Sequence, residues 1–167
     1  MDNSSIQISV VGLDDKIFSF NTPPDDISPE GLGPLDLKLA IQVRFDVEGE
    51  VITIRLDIRT FYHKPVHELP DKEIRLVRYV GEMHFRVRGA KKQFADPNEE
   101  GEFLLPRDLV ASLLATTFST FRGIIYAKLG GNEMRSMLLP LMEADQALQG
   151  ESEFIRPERG WFSSKSP

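Results

Sequence analysis

The stretch from Leu109 to Tyr126, LVASLLATTFSTFRGIIY, contains a single charged residue, Arg122. A helix on the surface of a monomer needs a polar face, and at about 3.6 residues per turn this stretch barely has one. Two of its faces are apolar, and the third carries only small side chains. The pattern therefore predicts a helix buried on several sides, either in the core of the subunit or between its own sheet and another subunit.

Small side chains in register allow two helices to approach closely, which suits a contact between subunits. We therefore predict an oligomer interface along the small-residue face of this helix and its border. The residues of this predicted interface are Ser112, Ala115, Thr116, Ser119, Gly123 and Ala127.

The composition is that of an ordinary globular protein. Of the 167 residues, 41% are hydrophobic and 28% are charged, which predicts one domain over residues 1–150 and a polar C-terminal tail over 151–167.

No basic segment precedes an apolar run at the start of the chain, so we expect no signal peptide. Serine and threonine residues in the middle of the 109–126 stretch argue against insertion into a membrane. The chain has no cysteine, which excludes disulfides and thiolate sites, and we expect a cytoplasmic protein.

Alternation of apolar and polar residues predicts four β-strands. The predicted strands are residues 6–20, 37–47, 52–58 and 74–87. A bulge or a short hairpin is expected near Gly12, and a second bulge near Gly81. The proline-rich segment 21–34 and the segment 61–72 are predicted as loops, and the second and third strands form an antiparallel hairpin.

Helical signals follow the strands. Pro106 and Asp108 mark the start of the long helix, and Gly130 and Gly131 mark its end. An apolar connector leads to a second, shorter helix over 141–148. Four strands followed by two helices predict an α+β fold, in which a four-stranded antiparallel sheet has both helices packed on one face.

The polar face of the predicted sheet carries more arginine and lysine than carboxylate, although the whole chain has a formal charge of −6. Two interpretations remain open: a solvated face with weak cross-strand ion pairs, or a docking face for an acidic partner. The predicted docking residues are Arg75, Arg78, Arg86 and Arg88. No aromatic residues interleave with the basic ones as stacking platforms, so nucleic acid is a poor candidate for the partner.

No constellation of catalytic or metal-binding residues is evident. His63 and His67 flank Pro65, which argues against the helical spacing that would let them share a metal ion. No histidine is at hand for the serines of the long helix, and no glycine-rich phosphate motif occurs. We therefore expect a protein that is not an enzyme and that has neither a metal site nor a cofactor.

Four segments, in their order along the chain, resemble SecB, the bacterial protein-export chaperone family, over residues 6–148. They are KIFSFNTP (16–23) before a proline-rich crossover loop, PLDLKLAIQV (34–43), IRLVRYVGEMHFRVRG (74–89) and TFRGIIYAKLGGNEMRSMLLPLMEAD (120–145). The last segment is the most specific, because it joins a long helix to a glycine loop and a leucine–proline connector.

The resemblance implies a homotetramer, built as a dimer of dimers with the long helices between the dimers. It also implies a function, which is to hold unfolded or precursor polypeptides in hydrophobic grooves without ATP. Adaptable apolar side chains suit such a groove. The predicted groove residues are Phe18, Phe20, Ile27, Leu32, Met134, Met137, Leu138, Leu141 and Met142.

Two features depart from the export chaperone. An acidic sheet face docks the translocase motor SecA in that family, whereas the corresponding strands here carry arginines. The acidic tail of the family is replaced by a tail that contains Arg156, Arg159 and Lys165. The alternatives are therefore a chaperone with a dedicated client, a chaperone associated with a toxin–antitoxin pair, or an oligomeric adaptor that docks one folded acidic partner.

Overall fold

In the described part of the chain, strands with alternating apolar and polar side chains form one sheet, and a long helix packs on it. The computed structural model describes residues 6–22, 36–46, 48–66, 69–90 and 105–130. The elements are β1 (Gln7–Phe20), β2 (Asp36–Asp46), β3 (Val51–Val66), β4 (Leu69–Arg88) and α1 (Arg107–Lys128). The strands form an antiparallel sheet in the order β1-β4-β3-β2, which confirms the α+β class. The second helix predicted at 141–148 lies outside the described residues.

Most of the buried core residues of the sheet lie on the two central strands, β3 and β4. Ile52, Ile54, Leu56 and Ile58 of β3 are fully buried and oppose Phe85, Met83, Gly81 and Tyr79 of β4 on the same face. The helix α1 packs against this face of β3 and β4. The opposite face of the sheet is predominantly polar, because the residues between these positions are largely charged or hydroxylated.

One side of α1 is buried. It begins after Pro106, has Asp108 in its first turn, and ends at Lys128, as the sequence predicts. Its buried residues are Leu113, Leu114, Thr117, Phe118, Phe121 and Ile125. The Thr117 hydroxyl donates to the Leu113 carbonyl at 2.7 Å, so this polar group is satisfied inside the apolar contact. By length and composition α1 could also cross a membrane, a property that core helices of soluble proteins share.

Gly81 lies directly beneath α1. A Cβ atom at this position would be 2.8 Å from the Phe121 ring and 2.9 Å from the Tyr79 ring. The two rings meet edge to face with centroids 5.1 Å apart, and they fill the space that a side chain at position 81 would occupy. The bulge predicted near Gly81 is not in β4, which stays in register with β3 from Val77 to Arg86. The register shift at this level lies instead in β1, between Asp15 opposite Gly81 and Ile17 opposite Val80. The interruption in the apolar pattern reflects close packing rather than an extra residue.

Register shifts occur elsewhere in the sheet. In β1 they lie between Val10 and Gly12 and between Asp15 and Ile17, so the expected irregularity near Gly12 is a bulge within one continuous strand. The loop predicted over 61–72 is wrong, because β3 extends to Val66 and β4 begins at Leu69. Pro65 falls at a register shift between Lys64 and Val66, a position in a strand that tolerates proline.

Replacing Gly81 with alanine tests the close contact between sheet and helix. We expect Gly81→Ala to lower the free energy of unfolding by about 2 kcal/mol, because two packed rings must move apart. Gly123 is the control, since a Cβ atom there meets nothing within 4 Å. Gly123→Ala should instead raise stability by roughly 0.5–1 kcal/mol through helix propensity. Urea unfolding of both variants measures the difference, and equal effects would contradict the packing described.

Candidate functional site

An apolar strip runs along β1, the strand at one edge of the sheet. Ile8, Val10 and Leu13 oppose the core residues Val87, Phe85 and Met83 of β4, so they belong to the face that carries α1. Their side chains are nevertheless 47%, 53% and 40% exposed, because α1 lies over β3 and β4. Among the described residues, all but one of the exposed large hydrophobic side chains lie on β1, and the exception is Tyr126 of α1.

The strip continues towards Phe18 and Phe20 at the end of β1. Both were predicted as groove residues, and both are half-buried and packed against the core. They oppose Tyr79 and Val77, on the face that carries α1. The remaining predicted groove residues lie outside the described residues. They are Ile27, Leu32, Met134, Met137, Leu138, Leu141 and Met142.

A basic side chain of α1 contacts residues of β1. Lys128, in the last turn of α1, forms an ion pair with Asp15 at 2.6 Å and lies 5.4 Å from the centre of the Phe18 ring. A cation near a helix C-terminus is also favoured by the helix dipole. Burial, together with the negative charge of Asp15, raises the pKa of the nearby Tyr79 hydroxyl to about 12. Tyr79 is therefore neutral at physiological pH.

The small-residue face of α1 points away from the sheet. Of the predicted interface residues Ala115 is half-buried, and the others, Ser112, Thr116, Ser119, Gly123 and Ala127, are exposed. The Thr116 hydroxyl donates to the Ser112 carbonyl at 2.9 Å, and the Thr120 hydroxyl donates to the Thr116 carbonyl at 2.8 Å. Both hydroxyls have their hydrogen-bond partners within the helix. A second helix packed on this face would therefore not leave them unpaired.

Asp57 binds two arginine side chains on the polar face of the sheet. It accepts hydrogen bonds from Arg59 at 2.6 and 3.0 Å and from Arg78 at 2.9 and 3.3 Å. Partial burial acts to raise the pKa of Asp57, but the hydrogen bonds from Arg59 and Arg78 outweigh it and hold that pKa below its ordinary value of 3.8. Arg78, a predicted docking residue, is half-buried, and its guanidinium group is already bound to the Asp57 carboxylate.

The other three predicted docking arginines are more exposed to solvent than Arg78. Arg75, Arg86 and Arg88 are exposed, and none has a carboxylate within ion-pair distance among the described residues. Arg86 and Arg88 oppose Ser9 and Gln7 of β1, at the end of the sheet away from Asp57. This end of the polar face therefore presents two exposed arginines that form no ion pair with a described residue, although the Glu50 carboxylate accepts a hydrogen bond from the nearby Gly89 backbone.

The middle of the polar face holds a cluster that the sequence reasoning missed. Oxygen or nitrogen atoms of Asp14, Glu82 and His84 lie within 4.8 Å of one another, a spacing compatible with a metal ion. Lys16 lies 2.8 Å from Asp14 and 3.6 Å from Glu82, so an ammonium group already pairs with both carboxylates. Arg55 contacts Glu82 at 3.2 Å. The arrangement is therefore an ion-pair network that joins β1 to β4 and β3.

His84 completes this network. Its Nδ1 lies 2.9 Å from the Thr53 hydroxyl on β3, and its Nε2 lies 3.5 Å from Asp14 on β1. The hydrogen bond from Lys16 is the main cause that lowers the pKa of Asp14. Only the register of β1 on β4, which places Asp14 opposite Glu82, brings these residues together. No local spacing in the sequence indicates the cluster.

Comparisons with known proteins supply no family. No protein-family model and no curated protein matches the chain. A crystal structure of a protein of unknown function from Streptococcus agalactiae is similar at a TM-score of 0.40 and 12% sequence identity. The match covers 75% of this chain and 90% of that one. A similarity at this level carries no argument about function.

The Asp57 cluster predicts a loss of stability in acid. Because the pKa of Asp57 is lowered by folding, its contribution is full above the ordinary value of 3.8 and disappears as pH falls through the folded value. We expect Asp57→Asn to cost about 1 kcal/mol at pH 7. The difference from the unsubstituted protein should shrink below about pH 3.8.

Urea unfolding at a series of pH values measures this effect. Asp46→Asn is the control, since Asp46 is exposed on the same face at the end of β2. A stability difference for Asp57→Asn that stays constant at all pH values would show that its charge is not the cause.

Proposed function

We propose that this protein is an ATP-independent holdase chaperone, which binds unfolded polypeptides through apolar surface and delays their folding. The observation that carries the proposal is the concentration of exposed apolar side chains on β1. Contiguous exposed apolar surface on a folded protein marks an interaction site. A linear strip along one strand suits an extended chain, whose own apolar side chains occur at intervals along its length.

The strip would form one part of a longer groove. In this proposal Phe18 and Phe20 lie at its end, and the methionine and leucine residues at 134–142, together with Ile27 and Leu32, line the rest. Methionine side chains adapt to different partners, which suits a surface that binds many sequences. The clients would be precursor polypeptides for export in the cytoplasm or a dedicated client, and SecA is a candidate partner.

The exposed small-residue face of α1 supports a role in assembly. A helix face with small side chains and internally satisfied hydroxyls can pack closely on a second helix. We propose that α1 helices from neighbouring subunits meet there, in a homotetramer built as a dimer of dimers. This arrangement would also explain why Arg122 is the single charged residue between Leu109 and Tyr126.

A second candidate function is an adaptor that docks a folded acidic partner on the polar sheet face. The observation that favours it is the exposure of Arg75, Arg86 and Arg88, none of which forms an ion pair with another described residue. Binding there would be electrostatic and would weaken as ionic strength rises. Binding of a client to the β1 strip would instead depend on apolar area.

Suppression of aggregation tests the holdase proposal. We expect the purified protein, without nucleotide, to keep a chemically unfolded protein from aggregating at near-stoichiometric amounts. The triple variant Ile8→Thr, Val10→Thr, Leu13→Thr removes much of the apolar strip and adds no charge, and it should lose most of this activity. The control Arg86→Gln, Arg88→Gln leaves the strip intact and should retain it. Full activity of the triple variant would show that the strip does not bind clients.

Substitution on the small-residue face tests the assembly. Gly123 is exposed and a Cβ atom there meets nothing within the subunit, so a larger side chain should fit the isolated chain. Gly123→Leu should therefore leave the subunit folded but lower the mass in solution measured by light scattering. An unchanged mass would place the interface elsewhere.

A further inference from the structure

Three metal-ligating side chains converge on the polar face of the sheet, opposite the face that carries the apolar strip. They are Asp14 of β1 and Glu82 and His84 of β4, and one ligand atom of each lies within 4.8 Å of the other two. Asp14 is exposed, whereas Glu82 and His84 are half-buried. One imidazole nitrogen and two carboxylate oxygens form a set of ligands that suits Zn²⁺.

We propose that Asp14, Glu82 and His84 bind one Zn²⁺ ion, which joins the edge strand β1 to β4. A water molecule is the fourth ligand of a tetrahedral site. With bonds of about 2.0–2.2 Å to zinc, the ligand atoms of such a site lie about 3.3–3.6 Å apart. The Nε2 atom of His84 lies 3.5 Å from Oδ2 of Asp14, which matches this separation. Rotation of the Glu82 side chain brings its carboxylate to the same distance.

The cluster already holds a cation, the ammonium group of Lys16. Its Nζ atom lies 2.8 Å from Oδ2 of Asp14 and 3.6 Å from Oε2 of Glu82. Arg55 binds the other oxygen of Glu82, Oε1, at 3.2 Å, and so leaves Oε2 to a metal ion. The Lys16 side chain is 42% exposed, and ion pairs of exposed side chains are weak. The ammonium group can therefore move into solvent when Zn²⁺ takes its place.

The imidazole of His84 is held in the orientation that zinc binding needs. A histidine that binds zinc through Nε2 carries its proton on Nδ1 and donates it to a fixed acceptor. Thr53 of β3 supplies this acceptor, since its buried hydroxyl oxygen lies 2.9 Å from Nδ1 of His84. Gly12 of β1 lies opposite His84, and a Cβ atom there would be 3.0 Å from the ring carbon Cδ2. The glycine thus leaves room for the ring beside the backbone of β1.

Two bulges of β1 bring Asp14 to this site. The register of β1 on β4 shifts between Val10 and Gly12 and again between Asp15 and Ile17. The segment between the two shifts places Asp14 opposite Glu82. Bulges often lie next to functional sites, where they change the direction of a side chain. A zinc ion bound here ties the irregular segment of the edge strand to the centre of the sheet.

Calorimetric titration of the full-length protein with zinc chloride tests the proposal, and we expect one Zn²⁺ ion per chain. Thr53→Val removes only the acceptor for Nδ1 of His84 and should weaken zinc binding about 10- to 100-fold. His84→Asn removes a ligand and should weaken it further. Lys16→Met removes the competing cation and should tighten zinc binding about fivefold, which a purely structural role of the lysine would not produce.

Two control variants exclude zinc binding elsewhere. The double variant His63→Gln, His67→Gln replaces the other two histidines of the chain, and Asp57→Asn removes a carboxylate from another ion-pair cluster on the same face. Both should bind zinc like the unsubstituted protein. Circular dichroism without zinc verifies that each variant is folded.

The geometry of the site has its own readout. Co²⁺ in a tetrahedral site absorbs visible light much more strongly than Co²⁺ in water, so we expect this absorption from the unsubstituted protein and its loss in His84→Asn. No zinc binding by the unsubstituted protein overturns the proposal. Binding that the double histidine variant loses and His84→Asn retains also overturns it. The site lies on the face opposite the apolar strip, so neither result bears on the holdase proposal.

Discussion

One helix is too narrow to cover one face of a four-stranded sheet, and much of this structure depends on that fact. Strands lie about 4.8 Å apart, while a helix with its side chains is about 10 Å wide. The helix α1 therefore covers β3 and β4, where the rings of Tyr79 and Phe121 meet over Gly81. The apolar side chains of β1 belong to the same face but remain exposed. The surface that we propose for clients follows from this incomplete coverage by the helix of the described part of the chain.

The two faces of the sheet suit different kinds of partner. The face with α1 presents aliphatic side chains along β1, and binding there gains energy from removing apolar area from water. The opposite face presents a network of ion pairs at Asp57, a second network at Glu82, and exposed arginines at each end. Exposed charges contribute to the rate and specificity of association more than to affinity.

Much of the fold was predictable because the strands have one buried face. Strict alternation in β2 and β3 predicted the hairpin, and Pro106 and Gly130 predicted the limits of α1. The prediction failed where close packing or long-range register decides the structure. The residues around Gly81 suggested a bulge, but the glycine is explained by the Phe121 ring of α1 together with the Tyr79 ring, which leave no room for a side chain there. Pro65 suggested a loop, although a strand continues through it at a register shift.

The candidate site was predictable only in part. The spacing of small residues on α1 predicted a face without large side chains, and that face is exposed in the subunit. The exposure of Ile8 and Val10 was not predicted, because alternation alone marks these two residues as core, and only the bulge between Val10 and Gly12 brings Leu13 to the same face. Their exposure depends on which strand lies at the edge and on where α1 crosses the sheet. The Asp14–Lys16–Glu82–His84 cluster likewise depends on the register of β1 with β4.

The most direct test of the account is calorimetric titration of the protein with a chemically unfolded polypeptide at several temperatures and two salt concentrations. Binding to apolar surface predicts a large negative heat-capacity change and an affinity that salt does not weaken. A heat-capacity change near zero, with an affinity that falls steeply as salt rises, would contradict the account and place binding on the arginines of the polar face.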